Sequence, residues 1–390
     1  MGDGSRSSSS LAEYPLSGRF PAVARFFAQQ PSSATTQPET SLDGSALADF
    51  LYNCGFRNDD LRFTKLHASL LKNTVEYRKL TFNEFCNAIV DNGHTNLLER
   101  AFKGSLIAPD FEMFTTKIKG ICRNNSEIFE AVRKEVPSTL GKNADYIPQL
   151  SKVDATLFGI SVCTVDGQRF HYGDSHSDFT VQSGCKPLNY CFAIEENGES
   201  KVHKHLGREP SGLAFNTLSL NSKNIPHNPM INAGAIMACS LIKPKLSLHD
   251  RFEHITDNLA SMSGGLKWGF SNSVYLSEKA TADSNFCLGY MMRGAKAFPE
   301  NTNMDQVLDF YFQCCSLETD CNRLAVAGAT LANMGVCPTT NTKVLKSRTC
   351  RDALSLMYSC GMYDYSGEWA FNIGIPAKSG IIKIDLRYFP

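Results

Sequence analysis

The chain has 390 residues, too many for one small domain and enough for two or three, because single hydrophobic cores rarely grow past about 250–300 residues. Its 39 Lys and Arg balance 39 Asp and Glu, so no basic field exists to hold nucleic acid or an anionic membrane surface; a 42% hydrophobic and 20% charged composition is ordinary for globular proteins. The longest apolar stretch, around Met230 to Ile242, is interrupted by Asn232 and falls short of the roughly 18 residues a spanning helix needs, so the chain reads as soluble, with neither nucleic acid nor membrane as a partner.

Residues 1 to about 44 are rich in Ser, Thr, Gln and Pro, with Ser7 to Ser10 as a run, and are expected to be a disordered tail that contributes nothing to a core. Arg6, Arg19 and Arg25 with Phe20, Phe26 and Phe27 give this tail some character of a mitochondrial presequence, against which Asp3 and Glu13 weigh; a cytoplasmic location is the alternative. Arg6 stands where a myristoylation signal wants Ser or Thr, which disfavours a lipid anchor. From Ser45 to about Pro137 apolar residues recur at three and four: Leu47, Phe50 and Leu51; Phe63, Leu66, Leu70 and Leu71; Phe82, Phe85, Cys86 and Ile89. This predicts a small bundle of amphipathic helices over 45–138, a scaffold or oligomerisation domain. No D-x-[DN]-x-[DN]-G loop is present, so no calcium site is expected.

After Asp145 the pattern changes. Leu157 to Val165 is rich in β-branched and aromatic residues, Asp166-Gly167 follows, and Arg169 to Tyr172 resumes the run; strand, Asp-Gly turn and strand predict a hairpin. Helical stretches come next, then a predicted strand from Ile373 to the end, where Ile382, Ile384 and Leu386 alternate with Lys383, Asp385 and Arg387. Early strands, a helical middle and a late strand suggest an α+β domain over 139–390 whose sheet is closed by its two ends. The 14 cysteines, spread from Cys54 to Cys360, never form a C-x-x-C pair, which argues against a zinc ribbon or a thioredoxin-type site; they read as reduced core thiols of an intracellular protein.

Ser183-Gly184-Cys185-Lys186-Pro187 follows a predicted strand, and positions i and i+3 share a helix face, so the lysine amine falls beside the serine hydroxyl. A serine is a poor nucleophile until something accepts its proton, and a desolvated lysine can be that base. Pro187 fits a helix that starts near Ser183, since proline is tolerated in the first turn. Ser69 with Lys72 and Ser240 with Lys243 also satisfy S-x-x-K, so the motif alone is weak. Lys378-Ser379-Gly380, near the end and on the predicted late strand, raises Ser183 above them: S-x-x-K followed far downstream by K-[ST]-G is the signature pair of the serine β-lactamase and penicillin-binding fold. Asn232, Glu278, Asp283 and Asn285 lie between the two and gain weight only as a set able to bind the polar ends of a small substrate.

Asp145 to Leu150, Gln182-Ser183 with Lys186-Pro187, Glu209 to Gly212, Pro226 to Met230, Asn232 to Ala235, Asp309 to Gln313, Cys360 to Asp364 and Pro376 to Gly380 form eight motifs in order, and together they resemble the glutaminase family in its animal kidney- or liver-type form. The resemblance extends more weakly into the helical segment, similar to that family's calcium-free EF-hand-like domain. It implies an α+β, β-lactamase/transpeptidase-like serine hydrolase domain that converts L-glutamine to L-glutamate and ammonia through a serine acyl-enzyme, an amidohydrolase acting on a linear amide. It makes Ser183 the nucleophile and Lys186 its general base, with Tyr363 and Tyr146 as hydroxyls at the reacting amide and Tyr363 as proton relay. Asn232, Glu278, Asn285 and Tyr311 would bind the substrate, Glu278 its ammonium. The oxyanion hole would be the backbone N–H of Ser183 and of Ile381, where the family usually has Val. The resemblance further implies dimers and tetramers, inorganic phosphate as an activator, and neither cofactor nor metal.

The family continues past K-S-G with a Gly-rich turn, further strands and a terminal helix. This chain instead reads Ile382 to Pro390, and is expected to be a C-terminally truncated product whose sheet lacks cover. Two other readings remain open: a catalytically impaired form that modulates full-length glutaminase by co-assembly, and another S-x-x-K serine hydrolase of the same fold.

Overall fold

The computed structural model describes residues 21–22, 26, 41–73, 76–135 and 143–380. It divides into two compact units, one built from residues 1–118 with 166–169 and the other from 119–165 with 170–390.

The first unit is helical. Strand β1 (Ser41–Asp43) leads directly into α1 (Gly44–Asn53), which Asp43 caps by accepting the Ser45 N–H at 3.0 Å. Helix α2 (Thr64–Leu70) follows, then β2 (Lys79–Thr81), antiparallel to β1 with Leu42 opposite Leu80. Helix α3 (Phe82–Asn92) opens on a capping box between Thr81 and Glu84 and closes on Gly93 at φ 80°. Helix α4 (Thr95–Phe102) and the start of α5 (Phe111–Glu135), as far as Ile118, complete the set. The apolar positions that recur at three and four form its core: Leu47, Leu51, Phe63, Leu66, Leu70, Phe85 and Ile89. Beside that core a buried ion pair joins Arg62 to Asp60 at 2.7 Å, and the Arg62 guanidinium also donates to the Asp166 carbonyl at 3.0 Å.

The expectation that residues 1–44 contribute nothing to a core is corrected at Ala22, Leu42 and Phe26, of which Ala22 is buried. Leu42 is buried, and the Phe26 ring packs 4.8 Å from Phe50 and 5.1 Å from Phe102. The Ser- and Pro-rich surroundings hide these residues from any periodicity argument, because isolated apolar side chains in a polar stretch set up no recurring pattern. The lipid-anchor reading falls on residues outside those described, and so does the presequence reading, on Arg6, Arg19, Phe20, Arg25 and Phe27, apart from Phe26.

The hairpin forms as expected: β3 (Gly159–Cys163) and β4 (Arg169–Gly173) flank the Asp166-Gly167 turn, with Gly167 at φ 85°, and apart from Arg169 both strands belong to the second unit. Strand β5 (Phe179–Thr180) runs through a 3₁₀ turn (Gln182–Gly184) into α6 (Cys185–Asn197), with Pro187 in its first turn, followed by the short α7 (Glu199–Val202). Helix α8 (Asn232–Leu241) is buried along its whole length. Such a helix belongs at the centre of a domain, and it packs on α6. Its Ala and Gly residues permit close approach: a Cβ on Gly234 would lie 1.8 Å from the Asn228 carbonyl oxygen. Then come α9 (Leu248–Met262), β6 (Gly269–Phe270), α10 (Asn272–Ala280), α11 (Asp283–Gly294), α12 (Met304–Cys315), β7 (Leu317–Thr319), α13 (Cys321–Ala332), α14 (Ser347–Cys360) and α15 (Ser366–Asn372). No helix among the described residues is long and apolar enough to cross a membrane.

A three-stranded antiparallel sheet, β5-β7-β6, organises this unit. Phe179 pairs with Thr319, and Phe270 with Leu317. Each strand adjoins an element that carries a candidate site residue. Strand β5 runs into the Ser183 turn, β6 runs into α10 with Glu278, and β7 emerges from α12 with Tyr311.

The late strand is a correction. Residues 373–380 adopt no regular structure, and Lys378-Ser379-Gly380 does not lie on a strand. A strand needs a ladder of backbone partners; here the Ser379 N–H donates to the Gly361 carbonyl at 3.1 Å and the Trp369 indole caps the Ile375 carbonyl at 2.8 Å. The alternating residues 382–387 lie outside the described residues, so among those described the sheet is not closed by its two ends.

Candidate active site

Strand β5 ends at Thr180, and the Val181 N–H still reaches the Leu317 carbonyl at 2.8 Å, which holds the chain as it turns. Gln182 then takes φ 47°, a left-handed conformation that a side-chain-bearing residue adopts only when its surroundings hold it there. The turn presents Ser183 at the mouth of α6. One turn on, the fully buried Lys186 places Nζ 2.5 Å from Ser183 Oγ. The other two S-x-x-K serines are engaged differently, since Ser69 and Ser240 both donate to carbonyls of their own helices at 2.7 Å. Tertiary structure therefore singles out Ser183.

Tyr363 sits on a single 3₁₀ turn after α14, also in the left-handed region at φ 57°. The Lys378 ammonium lies 3.9 Å from the centroid of its ring, and the Ser183 and Lys378 side chains both favour its ionised form. Lys186 Nζ stands 5.9 Å from the centroid of the Tyr363 ring and 6.0 Å from that of Tyr311. Burial alone would raise the Tyr363 phenol, but the charges of Lys186 and Lys378 outweigh it and bring it down to about 8. Lys378 is itself pushed down to about 8, chiefly by burial, with Lys186 adding repulsion.

The polar set converges as well. Asn232, first residue of α8, donates from Nδ2 to Asn285 Oδ1 at 3.0 Å and accepts on Oδ1 from the buried Tyr311 hydroxyl at 3.3 Å. Glu278 on α10 is only 6% exposed, and burial pushes its carboxyl up to about 7, with the Gln182 amide and the Lys186 charge opposing. Asp283 is exposed in the first turn of α11, a helix-terminal position and nothing more. Tyr146 exposes half its surface, yet its hydroxyl donates inward to Gln182 Oε1 at 3.0 Å, and burial of that end raises the phenol. Ile381 lies outside the described residues. Among the described residues no three His, Cys, Asp or Glu side chains are grouped to hold a metal.

The glutaminase family model matches residues 141–382. This chain belongs to the glutaminase family. Putative glutaminase 3 of Caenorhabditis elegans is 44% identical to it over 342 residues, covering 85% of this chain and 56% of that protein. The mitochondrial liver isoform of glutaminase from Rattus norvegicus is 46% identical over 294 residues, 75% of this chain and 47% of the relative. This chain thus spans about half the length of these curated relatives. Among solved structures, Mglu in its tris and glutamate form aligns with a TM-score of 0.59 at 35% identity, covering 64% of this chain and 56% of that one. The second unit accordingly has the β-lactamase-like fold of the glutaminases, as its S-x-x-K and K-S-G elements imply.

Two residues of this glutaminase site had no role assigned from sequence. Gln182 is 2% exposed, and its amide nitrogen lies near Glu278 without a well-formed partner in the protein, a buried donor facing the site. Nothing in local sequence separates it from any glutamine ahead of a helix. Lys378 was legible only as part of a motif; its contacts with the Tyr363 turn appear in three dimensions alone.

Proposed function

We propose that this chain is a glutaminase that hydrolyses L-glutamine to L-glutamate and ammonia through a Ser183 acyl-enzyme. The carrying observation is the 2.5 Å contact of Lys186 Nζ with Ser183 Oγ in a chain of the glutaminase family. Neutral Lys186 takes the Ser183 proton as Oγ attacks the substrate's side-chain carbonyl. The tetrahedral oxyanion is received by the backbone N–H groups of Ser183 and Ile381. The C–N bond then breaks, the leaving nitrogen takes a proton through Tyr363 and departs as ammonia, and an ester to Ser183 remains. Water, deprotonated by the same base, attacks that ester and releases glutamate with the serine restored.

Glu278, carrying a full negative charge once ionised, binds the substrate ammonium, while Asn232, Asn285 and Tyr311 bind the carboxylate, and the Gln182 amide supplies a further donor. Tyr146 fixes Gln182 and borders the reacting amide. The helical segment 45–138 serves as an assembly module for the catalytic segment 139–390, in homodimers or homotetramers that inorganic phosphate activates; these features rest on the family resemblance. The mitochondrial designation of the rat relative supports a mitochondrial location.

The test is ammonia or glutamate release from L-glutamine by the purified chain, with and without phosphate, beside Ser183→Ala and Lys186→Met. Turnover abolished in both variants is the expected result. Turnover that survives Ser183→Ala would overturn the acyl-enzyme, and preference for another amide or ester with none for glutamine would select a different S-x-x-K hydrolase.

A further inference from the structure

Lys378 belongs to a motif that the proposed chemistry leaves without a task, and its surroundings supply one. Nζ donates to the Gly361 carbonyl at 3.1 Å and to the Ser379 carbonyl at 2.8 Å. The Ser379 N–H donates to the same Gly361 oxygen at 3.1 Å, so backbone and side chain of 378–379 both grip the turn that precedes Tyr363. The fit is tight: a Cβ on Gly361 would lie 1.8 Å from the Ala377 carbonyl oxygen. Held this way, the ammonium stands 3.9 Å from the centroid of the Tyr363 ring, closer than Lys186 at 5.9 Å. Tyr363 meanwhile keeps a left-handed backbone, which persists only where its surroundings enforce it.

We propose that Lys378 is the positioning residue for Tyr363: it clamps the Gly361–Tyr363 turn through the Gly361 carbonyl, anchored on its own side by the Ser379 carbonyl, and holds its ammonium against the phenol, so that Tyr363 exchanges protons with the Ser183 centre. This rests on the reading of Tyr363 as proton relay. The titratable and charged groups around that phenol are Lys186 and Cys185 at the start of α6, Glu278 on α10, Tyr311 and Cys315 on α12, Tyr146, and Lys378 itself. Of these, Lys186 and Lys378 draw the phenol down when they carry a proton, and Lys186 is engaged with Ser183 as its base, which leaves Lys378 as the ammonium set against the phenol. The sign follows directly. A fixed cation favours tyrosinate, so a neutral residue at 378 moves the Tyr363 ionisation to higher pH.

The experiment measures kcat and KM for L-glutamine from about pH 6 to about pH 10 with the full chain, for the wild type, Lys378→Gln, Lys378→Met, Lys378→Arg and Tyr363→Phe. Both neutral variants are expected to lower kcat with KM little changed and to move the alkaline limb of the kcat profile, where the Tyr363 proton is lost, up by about one unit or more, while Lys378→Arg keeps the limb in place. A limb that stays at its wild-type position in folded neutral variants overturns the proposal while leaving the relay reading intact if Tyr363→Phe is inactive. Full activity in Tyr363→Phe instead overturns the relay reading itself. Should neither neutral variant fold, tyrosinate absorbance of the wild type minus that of Tyr363→Phe decides: ionisation at the ordinary value of about 10 would overturn the proposal, and ionisation well below it supports it.

Discussion

Replacing Glu278 by Gln should disable substrate binding and, at the same time, stabilise the empty protein, by an amount that grows with pH. Burial raises the carboxyl from 4.5 to about 7. The folded state therefore holds the proton more tightly than the unfolded state, and wild-type stability falls as pH rises from about 4.5 to about 7, at about 1.4 kcal/mol per unit. Integrated between pH 5 and pH 8, the loss is about 2.5 kcal/mol, and a glutamine, which never ionises, escapes it. The second unit contains both tryptophans, Trp268 and Trp369, so urea unfolding followed by Trp fluorescence reports the unit that holds Glu278. The variant-minus-wild-type stability should be about 2–3 kcal/mol more favourable at pH 8 than at pH 5. An equal difference at both pH values would refute the argument that desolvation governs this carboxyl, and would leave its task as ammonium binding without physical support.

The same ionisation predicts that KM for glutamine falls as pH rises through about 7, because the ammonium is held only by the carboxylate; a KM flat from pH 6 to pH 8 in steady-state assays would contradict it. Tyr311→Phe removes the hydroxyl that bonds Asn232 at 3.3 Å and should raise KM by about tenfold with kcat less affected, the signature of a lost binding contact worth about 1.4 kcal/mol. Gly361→Ala drives a Cβ into the Ala377 carbonyl and should cost about 3 kcal/mol or more, visible as a lower melting temperature together with loss of activity. In the helical unit, Arg62→Met strands the fully buried Asp60 carboxylate and should cost about 3–5 kcal/mol by far-UV circular dichroism, whereas adding Asp60→Leu should recover most of it.

Local chemistry was readable without coordinates wherever a short stretch carries its own geometry. Ser183 and Lys186 are three apart on a helix whose first turn Pro187 marks, so their 2.5 Å contact follows from helical spacing once the helix exists. The Asp166-Gly167 turn and the helical periodicities of Leu47, Phe63 and Phe85 belong to the same class, because backbone φ/ψ preferences and side-chain period act within a few residues. The downstream Lys378-Ser379-Gly380 element ranked Ser183 first of the three S-x-x-K serines, and tertiary structure then paired it with its lysine while engaging Ser69 and Ser240 on helix carbonyls. Tertiary structure also decided that Asn232, Glu278, Asn285 and Tyr311 face one another, since sequence offers no measure of distance across the gap between α8 and α12. The Lys378 segment shows the limit from the other side: residues 373–380 were expected to lie on a strand, but a strand exists only where another backbone offers a ladder, and residues 377–379 find the Gly361 turn instead. Burial decided the electrostatics in the same way. Glu278, Tyr363 and Lys378 are ordinary side chains by composition, and their protons are redistributed toward neutral pH only because the fold removes water from them and sets their charges side by side.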